Sequence, residues 1–328
     1  MLNHILLPLD GSSLAECVLP HAVAIAQAWR SKIVLLHVLE PADISSISLY
    51  ANPYDWRVGK YQAHDYLNNL AESLNKAGLE VEVCVVEGKP AENILTFSGA
   101  YPDSLILLSS HGRSGLNDWT TSSIAQKVAM RARVSVMVIP AYQPCSGEIT
   151  GLRYRRILVP VDGSRRAEYS LPFANAIAHA HGSEILLVHV LSCPEMPCRG
   201  SLNQDEIDWV NRIMERNREE AWNYLTGIQS WLQVDTKVQI LLFTGNSVPA
   251  RLHAAAEQYQ ADLILLNGHG YSGSSDRPYG SVTLHFLLYG NKPRLVIQDF
   301  PTDQIELTQA EFLSSTNVGG SRNLYTLA

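Results

Sequence analysis

The sequence predicts two tandem α/β domains, each built on a doubly wound, five-stranded parallel sheet. The phrase ILLPLDGS at 5–12 returns as ILVPVDGS at 157–164, and SKIVLLHVL at 31–39 returns as SEILLVHVL at 183–191, both at an offset of 152 residues. A repeat this long is a whole domain, because solenoid units run to about 20–50 residues. In each copy, short apolar runs alternate with helical patterns, which is typical of parallel strands joined by right-handed crossovers.

The elements of the first half follow from this alternation. Apolar runs of strand length predict buried strands, and apolar residues at helical spacing predict helices. Ser12 or Ser13 is a suitable N-cap for the first helix, and Pro20 predicts a kink inside it. We expect strands at 4–9, 33–39, 81–87, 104–110 and 134–140, a variable loop at 40–59, and helices at 12–30, 60–77, from 90 onward and at 120–131.

The second half repeats this order with a longer middle helix, about 205–231, and with Pro172 in place of Pro20. Its strands are expected near 156–161, 184–191, 235–243, 262–267 and 294–299. The domains are therefore placed at 1–145 and 146–300, with a polar C-terminal tail at 301–328. Because the fifth strand of each half is apolar and would otherwise be a bare edge, we expect 134–140 and 294–299 to lie close together.

Composition excludes several classes of protein. The net charge is −7 and no basic stripe occurs, which speaks against a nucleic-acid partner. No apolar run has the length of a membrane span, and the N-terminus lacks the basic region of a signal peptide. The five cysteines do not repeat between the halves, which suits a cytoplasmic protein. Cys193 and Cys198 are interpreted as free thiols, in preference to a metal or redox pair.

A ligand site is expected beyond the carboxyl ends of the strands, where open α/β sheets bind their ligands. Matching features of both halves fall there. Glycines and a helix N-terminus at this edge provide backbone donors for phosphate groups. The features are Asp10 and Asp162 after the first strand, Val38 and Val190 in the second, the loops SSHGRSG (109–115) and NGHGYSG (267–273), and Ser122-Ser123 or Gly280-Ser281 before the last helix.

On these residues the chain resembles the universal stress protein family, in its tandem-domain form, over about residues 1–300. Nucleotide-binding members carry G-x-x-G-x9-G-[S/T] after the fourth strand. The second half reads Asn267-x-x-Gly270-x9-Gly280-Ser281, and the first reads Ser109-x-x-Gly112-x9-Ser122-Ser123. The resemblance implies Rossmann-like, HUP-type domains and ATP as the ligand, held with Mg²⁺. The implied contacts are Pro160, Asp162, Val190, Asn267, Gly270, Gly280 and Ser281, with a degenerate set in the first half, Pro8, Asp10, Val38, Ser109, Gly112, Ser122 and Ser123.

We expect ATP to prefer the second half, because Ser122 carries a Cβ where the family pattern has glycine. Neither phosphate loop contains a lysine, and no catalytic or metal-ligating constellation occurs. The expected function is therefore nucleotide-dependent signalling in the stress response, with at most slow ATP hydrolysis.

Two alternatives stay open. The first is a nucleotide-free dimer or interaction module of the same fold, in which Asp10 and Asp162 only shape a turn. A homodimer is compatible with either function. The second is a dinucleotide-dependent enzyme, because 268–273 reads G-x-G-x-x-G. That fingerprint normally follows the first strand, and an acidic residue normally stands about 20 residues beyond it.

Overall fold

The computed structural model describes residues 2–40, 53–112, 123–141, 149–192, 203–232, 236–271 and 278–299. Several sequence predictions lie outside these residues: Ser122, Cys193, Cys198, both phosphate-loop centres and the tail at 301–328. Of Ser123 only the backbone is described.

Each half has the predicted strand–helix alternation. The strands of the first half are β1 (His4–Pro8), β2 (Lys32–Leu39), β3 (Val81–Glu87), β4 (Ser104–Ser109) and β5 (Ser135–Ile139). Its helices are α1 (Leu19–Trp29), α2 (Pro53–Lys76), α3 (Pro90–Gly99) and α4 (Ser123–Arg131), with a 3₁₀ turn at Ala15–Val18.

The second half repeats the plan. Its strands are β6 (Arg156–Pro160), β7 (Glu184–Leu191), β8 (Lys237–Thr244), β9 (Leu263–Asn267) and β10 (Arg294–Ile297). Its helices are α5 (Arg165–Glu168), α6 (Leu171–His181), α7 (Gln204–Leu232), α8 (Val248–Gln258) and α9 (Ser281–Tyr289).

All ten strands form one sheet in the order β3-β2-β1-β4-β5-β10-β9-β6-β7-β8. Pairing is parallel within each half, and β5 pairs with β10 antiparallel, with Met137 opposite Leu295. The predicted meeting of the two fifth strands is therefore confirmed. The two domains share a continuous sheet whose ends are β3 and β8.

Helices cover both faces of the sheet. Alternate strand residues point to opposite faces. Leu7 packs on the face covered by α1, α2, α6 and α7, whereas Leu6 packs on the face covered by α3, α4, α8 and α9. Strands with apolar residues on both sides are what a parallel sheet buried between two helical layers requires.

The proline-containing helix differs from its prediction. A single kinked helix over 12–30 was expected, but the 3₁₀ turn ends at Val18 and α1 begins afresh at Leu19. Pro20 and Pro172 each stand in the first turn of their helix. A first-turn residue needs no intrahelical N–H partner, so proline begins a helix there without kinking it. Of the described helices, none is long and apolar enough to cross a membrane.

The two halves also pack through α1 and α6. Trp29 meets Phe173 edge-on at 5.6 Å between ring centroids. At the other end of the helix pair, His21 Nδ1 lies 2.7 Å from the Tyr154 hydroxyl, and the Tyr154 ring stacks on His181. The α4 and α9 helices also pack against each other across the junction, so it consists of the sheet seam and two helix pairs.

Candidate functional site

Asp10 and Asp162 shape the turn after the first strand of each half. Asp10 Oδ1 accepts hydrogen bonds from the Ser12 amide at 2.9 Å and the Ser12 hydroxyl at 2.6 Å. Asp162 Oδ1 accepts the matching bonds from Ser164 at 3.1 and 2.7 Å. Each serine hydroxyl in turn accepts from an amide three residues on, at 3.1 Å in both halves, so it caps the following helical turn.

The other carboxylate oxygen reaches the loop after the fourth strand. Asp162 Oδ2 accepts a hydrogen bond from the Tyr271 amide at 2.7 Å. A Cβ added to Gly270 would collide with this oxygen, and one added to Gly112 would collide with Asp10 Oδ2. Both glycines are therefore required by the chain itself, so that a carboxylate can lie against the loop backbone.

The first position of the family pattern keeps this loop in shape without glycine. The Ser109 hydroxyl donates to the His111 carbonyl at 2.6 Å, and the Asn267 side-chain amide donates to the His269 carbonyl at 2.8 Å. Two different polar side chains thus fix the same carbonyl in the two halves. Ser109 and Asn267, which replace the first glycine of the family pattern, are therefore compatible with the loop because each hydrogen-bonds its backbone.

In the first half the predicted residues line a cavity of about 410 Å³. This volume falls within the range of small-ligand sites, about 300–1,000 Å³. The lining includes Pro8, Asp10, Val38, Ser109 and Gly112. The structure therefore brings these five residues together at the carboxyl edge of the sheet.

In the second half the structure brings Asp162, Asn267, Gly270 and Gly280 together. The Gly280 amide donates to the Gly268 carbonyl at 2.9 Å, which closes the loop onto the start of α9. Gly280 is the N-cap of α9 and supplies no side-chain hydrogen bond to the first turn. Ser281 is the first residue of that helix. Pro160 ends β6 and Val190 lies in β7, in positions that match Pro8 and Val38.

The structure adds a buried pair that the repeat did not reveal. His269 Nδ1 lies 2.7 Å from Asp299 Oδ1, with side-chain exposures of 9% and 4%. In the first half, His111 Nδ1 instead lies 2.9 Å from the Ser110 hydroxyl. Gly268 and Asp299 occupy the positions of Ser110 and Ala141. Asp299 has no acidic counterpart in the first half, so a comparison of the two halves could not single it out.

The second site is tied to the first half of the chain. Tyr279, directly before Gly280, is buried, and its hydroxyl donates to the Ala132 carbonyl of the first half at 3.4 Å. Burial raises the pKa of Tyr279, so the hydroxyl stays protonated and remains a donor. Gln298 bonds the Pro278 carbonyl through its side chain at 3.2 Å and Ser135 of β5 through its amide at 3.1 Å.

The fold defines a tandem pair of doubly wound α/β domains, with a candidate site at the carboxyl edge of each half of the sheet. The sequence profile of the universal stress protein family matches residues 1–140 and 153–298, so the chain belongs to that family. Universal stress protein MJ0577 of Methanocaldococcus jannaschii is 29% identical over 156 residues, covering 44% of this chain and 95% of that protein. Universal stress protein YxiE of Bacillus subtilis is 27% identical over 147 residues, covering 42% and 99%.

Solved structures match the whole tandem arrangement. A universal stress protein from Archaeoglobus fulgidus has a TM-score of 0.62 at 20% identity and covers 91% of this chain and 99% of that chain. A putative universal stress protein from Pseudomonas aeruginosa has a TM-score of 0.64 at 19% identity, covering 96% and 98%. At this identity the likeness concerns the fold.

Proposed function

We propose that the second half binds an adenine nucleotide, ATP with Mg²⁺, and that the bound state acts as a stress signal. The observation that carries the proposal is the start of α9. Gly280 offers no capping side chain, and the loop 267–270 folds back onto this helix end through the Gly280–Gly268 bond. Backbone amides at a helix N-terminus favour phosphate through hydrogen bonds and the helix dipole.

Gly280 supports the choice of the second half. A Cβ at this position would meet nothing nearer than 3.7 Å, and its φ of −69° suits any residue. The folded chain therefore does not itself require glycine there, unlike at Gly270. Free space above the helix end is what the approach of a phosphate needs, and at the corresponding sequence position of the first half Ser122 carries a Cβ where the family pattern has glycine.

The donor set also fits a nucleotide that carries a cation. Asp162 accepts three hydrogen bonds from the chain, and a carboxylate has about four acceptor positions. One position is left for a ribose hydroxyl or for water on the metal ion. Asp162 and Asp299 are both acidic, so Mg²⁺ would offset their repulsion of a triphosphate.

The experiment starts with the purified protein. We expect adenine nucleotide to be released on denaturation, and titration calorimetry with Mg²⁺–ATP to give one site per chain. Gly280→Trp should abolish binding while the far-ultraviolet circular dichroism stays unchanged. The matched control is Ser122→Trp at the corresponding position of the first half, which should leave binding intact. Loss of binding in Ser122→Trp alone would move the site to the first half.

The proposed site is a carrier of nucleotide, with little or no catalysis. Backbone amides and serine hydroxyls bind the ground state as well as the transition state, and uniform binding does not raise turnover. We expect ATP hydrolysis slower than about one per second. Faster turnover that is lost in Ser281→Ala would identify an enzyme.

One observation favours the second candidate, a nucleotide-free interaction module. Asp162 is held by Ser164 and Tyr271 in the chain alone, so its turn forms without a ligand. This candidate predicts no released nucleotide and no calorimetric signal, whereas oligomeric state and partner binding would remain.

A further inference from the structure

The two ends of the ten-stranded sheet differ in how they are protected. Within the described chain, β3 pairs only with β2, and β8 pairs only with β7. Among the described residues both strands therefore leave backbone donors and acceptors without a strand partner, although the Gln229 side chain of α7 donates to the Val238 carbonyl of β8 at 2.9 Å. Such edges pair with other strands unless charges, prolines or covering segments prevent it.

The β3 end carries charges of both signs. Lys32 lies 3.0 Å from Glu80 and 3.5 Å from Glu82, and Lys60 of α2 lies 3.3 Å from Glu87 at the end of the strand. Burying this edge against another strand would strip water from these ions. The charges therefore protect β3 from edge-to-edge pairing.

The β8 end has less of this protection. Its one charged residue is the exposed Lys237 at its first position, and from Val238 to Thr244 the strand reads VQILLFT, without a charge or a proline. An open groove of about 690 Å³ runs beside it, lined by strand residues 240–244 and by α7. Trp222 of α7, whose exposed fraction is 51%, lines the same groove. An apolar edge strand beside an exposed tryptophan is a surface suited to burial against a partner.

We propose that β8 pairs antiparallel with β8 of a second copy of this chain, forming a twofold dimer with a continuous sheet. The chain already joins two sheet edges in this manner, where β5 pairs antiparallel with β10. Because charges protect the β3 edge, association through β8 closes at two chains. Two open ends would instead permit filaments.

Charges beside the groove match a twofold axis. Glu215, Arg218 and Glu219 lie on one face of α7 and line the groove. Among the described residues, Arg218 makes no ion pair within its own chain. In an antiparallel β8 pair the two α7 helices come side by side, so Arg218 of each copy faces the acidic residues of the other. A patch with both signs is self-complementary in an isologous interface.

Sedimentation velocity of the full chain tests the pairing. We expect a species of twice 36.3 kDa that dissociates on dilution. Leu242→Lys on β8 should weaken dimerisation by about tenfold or more, because it places a charge in the shared sheet. The matched control is Val85→Lys on β3, since Val85 pairs with His37 as Leu242 pairs with His189. It should leave the dimer unchanged.

Exchanging charges on α7 separates loss of the dimer from loss of folding, because two variants with opposite charges should recover the dimer when they are mixed. Arg218→Glu alone and Glu215→Arg/Glu219→Arg alone should each be monomeric, and mixing the two variants should restore the dimer. Amide hydrogen exchange should slow in β8 on dimerisation and not in β3. A chain that stays monomeric at all concentrations, or a dimer indifferent to Leu242→Lys and Arg218→Glu, would overturn the proposal. So would a monomer with slowly exchanging β8 amides, because another segment would then cover the edge.

Discussion

At Gly270 the absence of a side chain lets the loop after β9 meet the carboxylate of Asp162. A Cβ there has no room beside Asp162 Oδ2, and the Tyr271 amide donates to the same oxygen. Gly280 differs, because its surroundings accept a side chain. The two glycines of the motif therefore have different roles. Gly270 is required by the fold, whereas Gly280 leaves open space at the start of α9.

Gly270→Ala should therefore destabilise the protein by about 1–3 kcal/mol, because the added methyl separates the loop from Asp162. Gly280→Ser is the matched control. It should leave the free energy of unfolding within about 0.5 kcal/mol, since serine is a good N-cap, while weakening nucleotide binding. Urea unfolding and calorimetry measure the two effects, and equal stability losses would contradict this division of roles.

In the second half the His269–Asp299 pair takes the place of the Ser110–His111 hydrogen bond of the first half. Gly268 makes room for it, because a Cβ there would lie 2.8 Å from Asp299 Oδ1 and 2.5 Å from Gln298 Oε1. In the first half the Ser110 hydroxyl bonds His111 and accepts from the Ala141 amide at 2.9 Å. Each arrangement satisfies the buried histidine, but with different partners.

A transplant of the first-half arrangement tests this equivalence. Asp299→Ala and Gly268→Ser should each cost about 1–3 kcal/mol, the first by removing the buried hydrogen bond between His269 and Asp299 and the second by crowding. The double variant recreates the Ser110–Ala141 arrangement and should recover about 0.5–3 kcal/mol relative to the sum. Additive losses in a double-mutant cycle from urea unfolding would show that the serine does not replace the pair.

At the scale of elements, the α1–α6 packing holds histidines in their neutral form. His181 Nδ1 accepts a hydrogen bond from the Tyr154 amide at 3.1 Å. Its Nε2 lies 3.2 Å from the Ala24 carbonyl, and because a carbonyl oxygen only accepts, Nε2 is the donor. A ring with one accepting and one donating nitrogen is neutral. Burial lowers the pKa of His181, and it lowers the pKa of His21 to about 4.

The helix junction should therefore weaken in acid. The folded pKa of His21 lies below its unfolded value of about 6.5, so the unfolded chain binds more protons between these values. Stability is fully present above pH 6.5 and falls as the pH drops towards about 4. The control is His21→Phe/Tyr154→Phe, which removes the titrating ring together with its hydroxyl partner. Urea unfolding at several pH values should give a smaller slope for the control, and an equal slope would contradict the assignment.

The repeat and the periodicity predict element types well and their junctions less well. Strand β3 occupies the predicted 81–87, whereas the predicted loop at 40–59 contains the start of α2 at Pro53. Pro20 predicted a kink within a helix, yet it lies in the first turn of α1. Whether a proline kinks a helix or lies at its start depends here on where the preceding 3₁₀ turn ends, and that end is not visible in the sequence. The site edge was predictable from the two aspartates. The roles of Ser109 and Asn267 were not, since they depend on a loop carbonyl that leaves no pattern in the sequence.

At the scale of the molecule, the seam between β5 and β10 joins the halves into one core. Met137 and Leu295 face each other across it and are fully buried. Tyr279 and Gln298 add polar bonds from the second-half site to the first half. A seam buried on both faces cannot separate without exposing strand edges and core, so we expect the two halves to unfold together.

Met137→Ala tests this cooperativity, because it leaves a cavity at the seam. It should lower the free energy of unfolding by about 2–5 kcal/mol. If the halves unfold as one unit, the loss appears equally in the exchange protection of β6 and β7 in the second half, although the change lies in the first. Calorimetry should show one transition, with calorimetric and van't Hoff enthalpies equal. Two transitions, with β6 and β7 unaffected, would mean that the shared sheet does not couple the halves and that each domain is stable without the other.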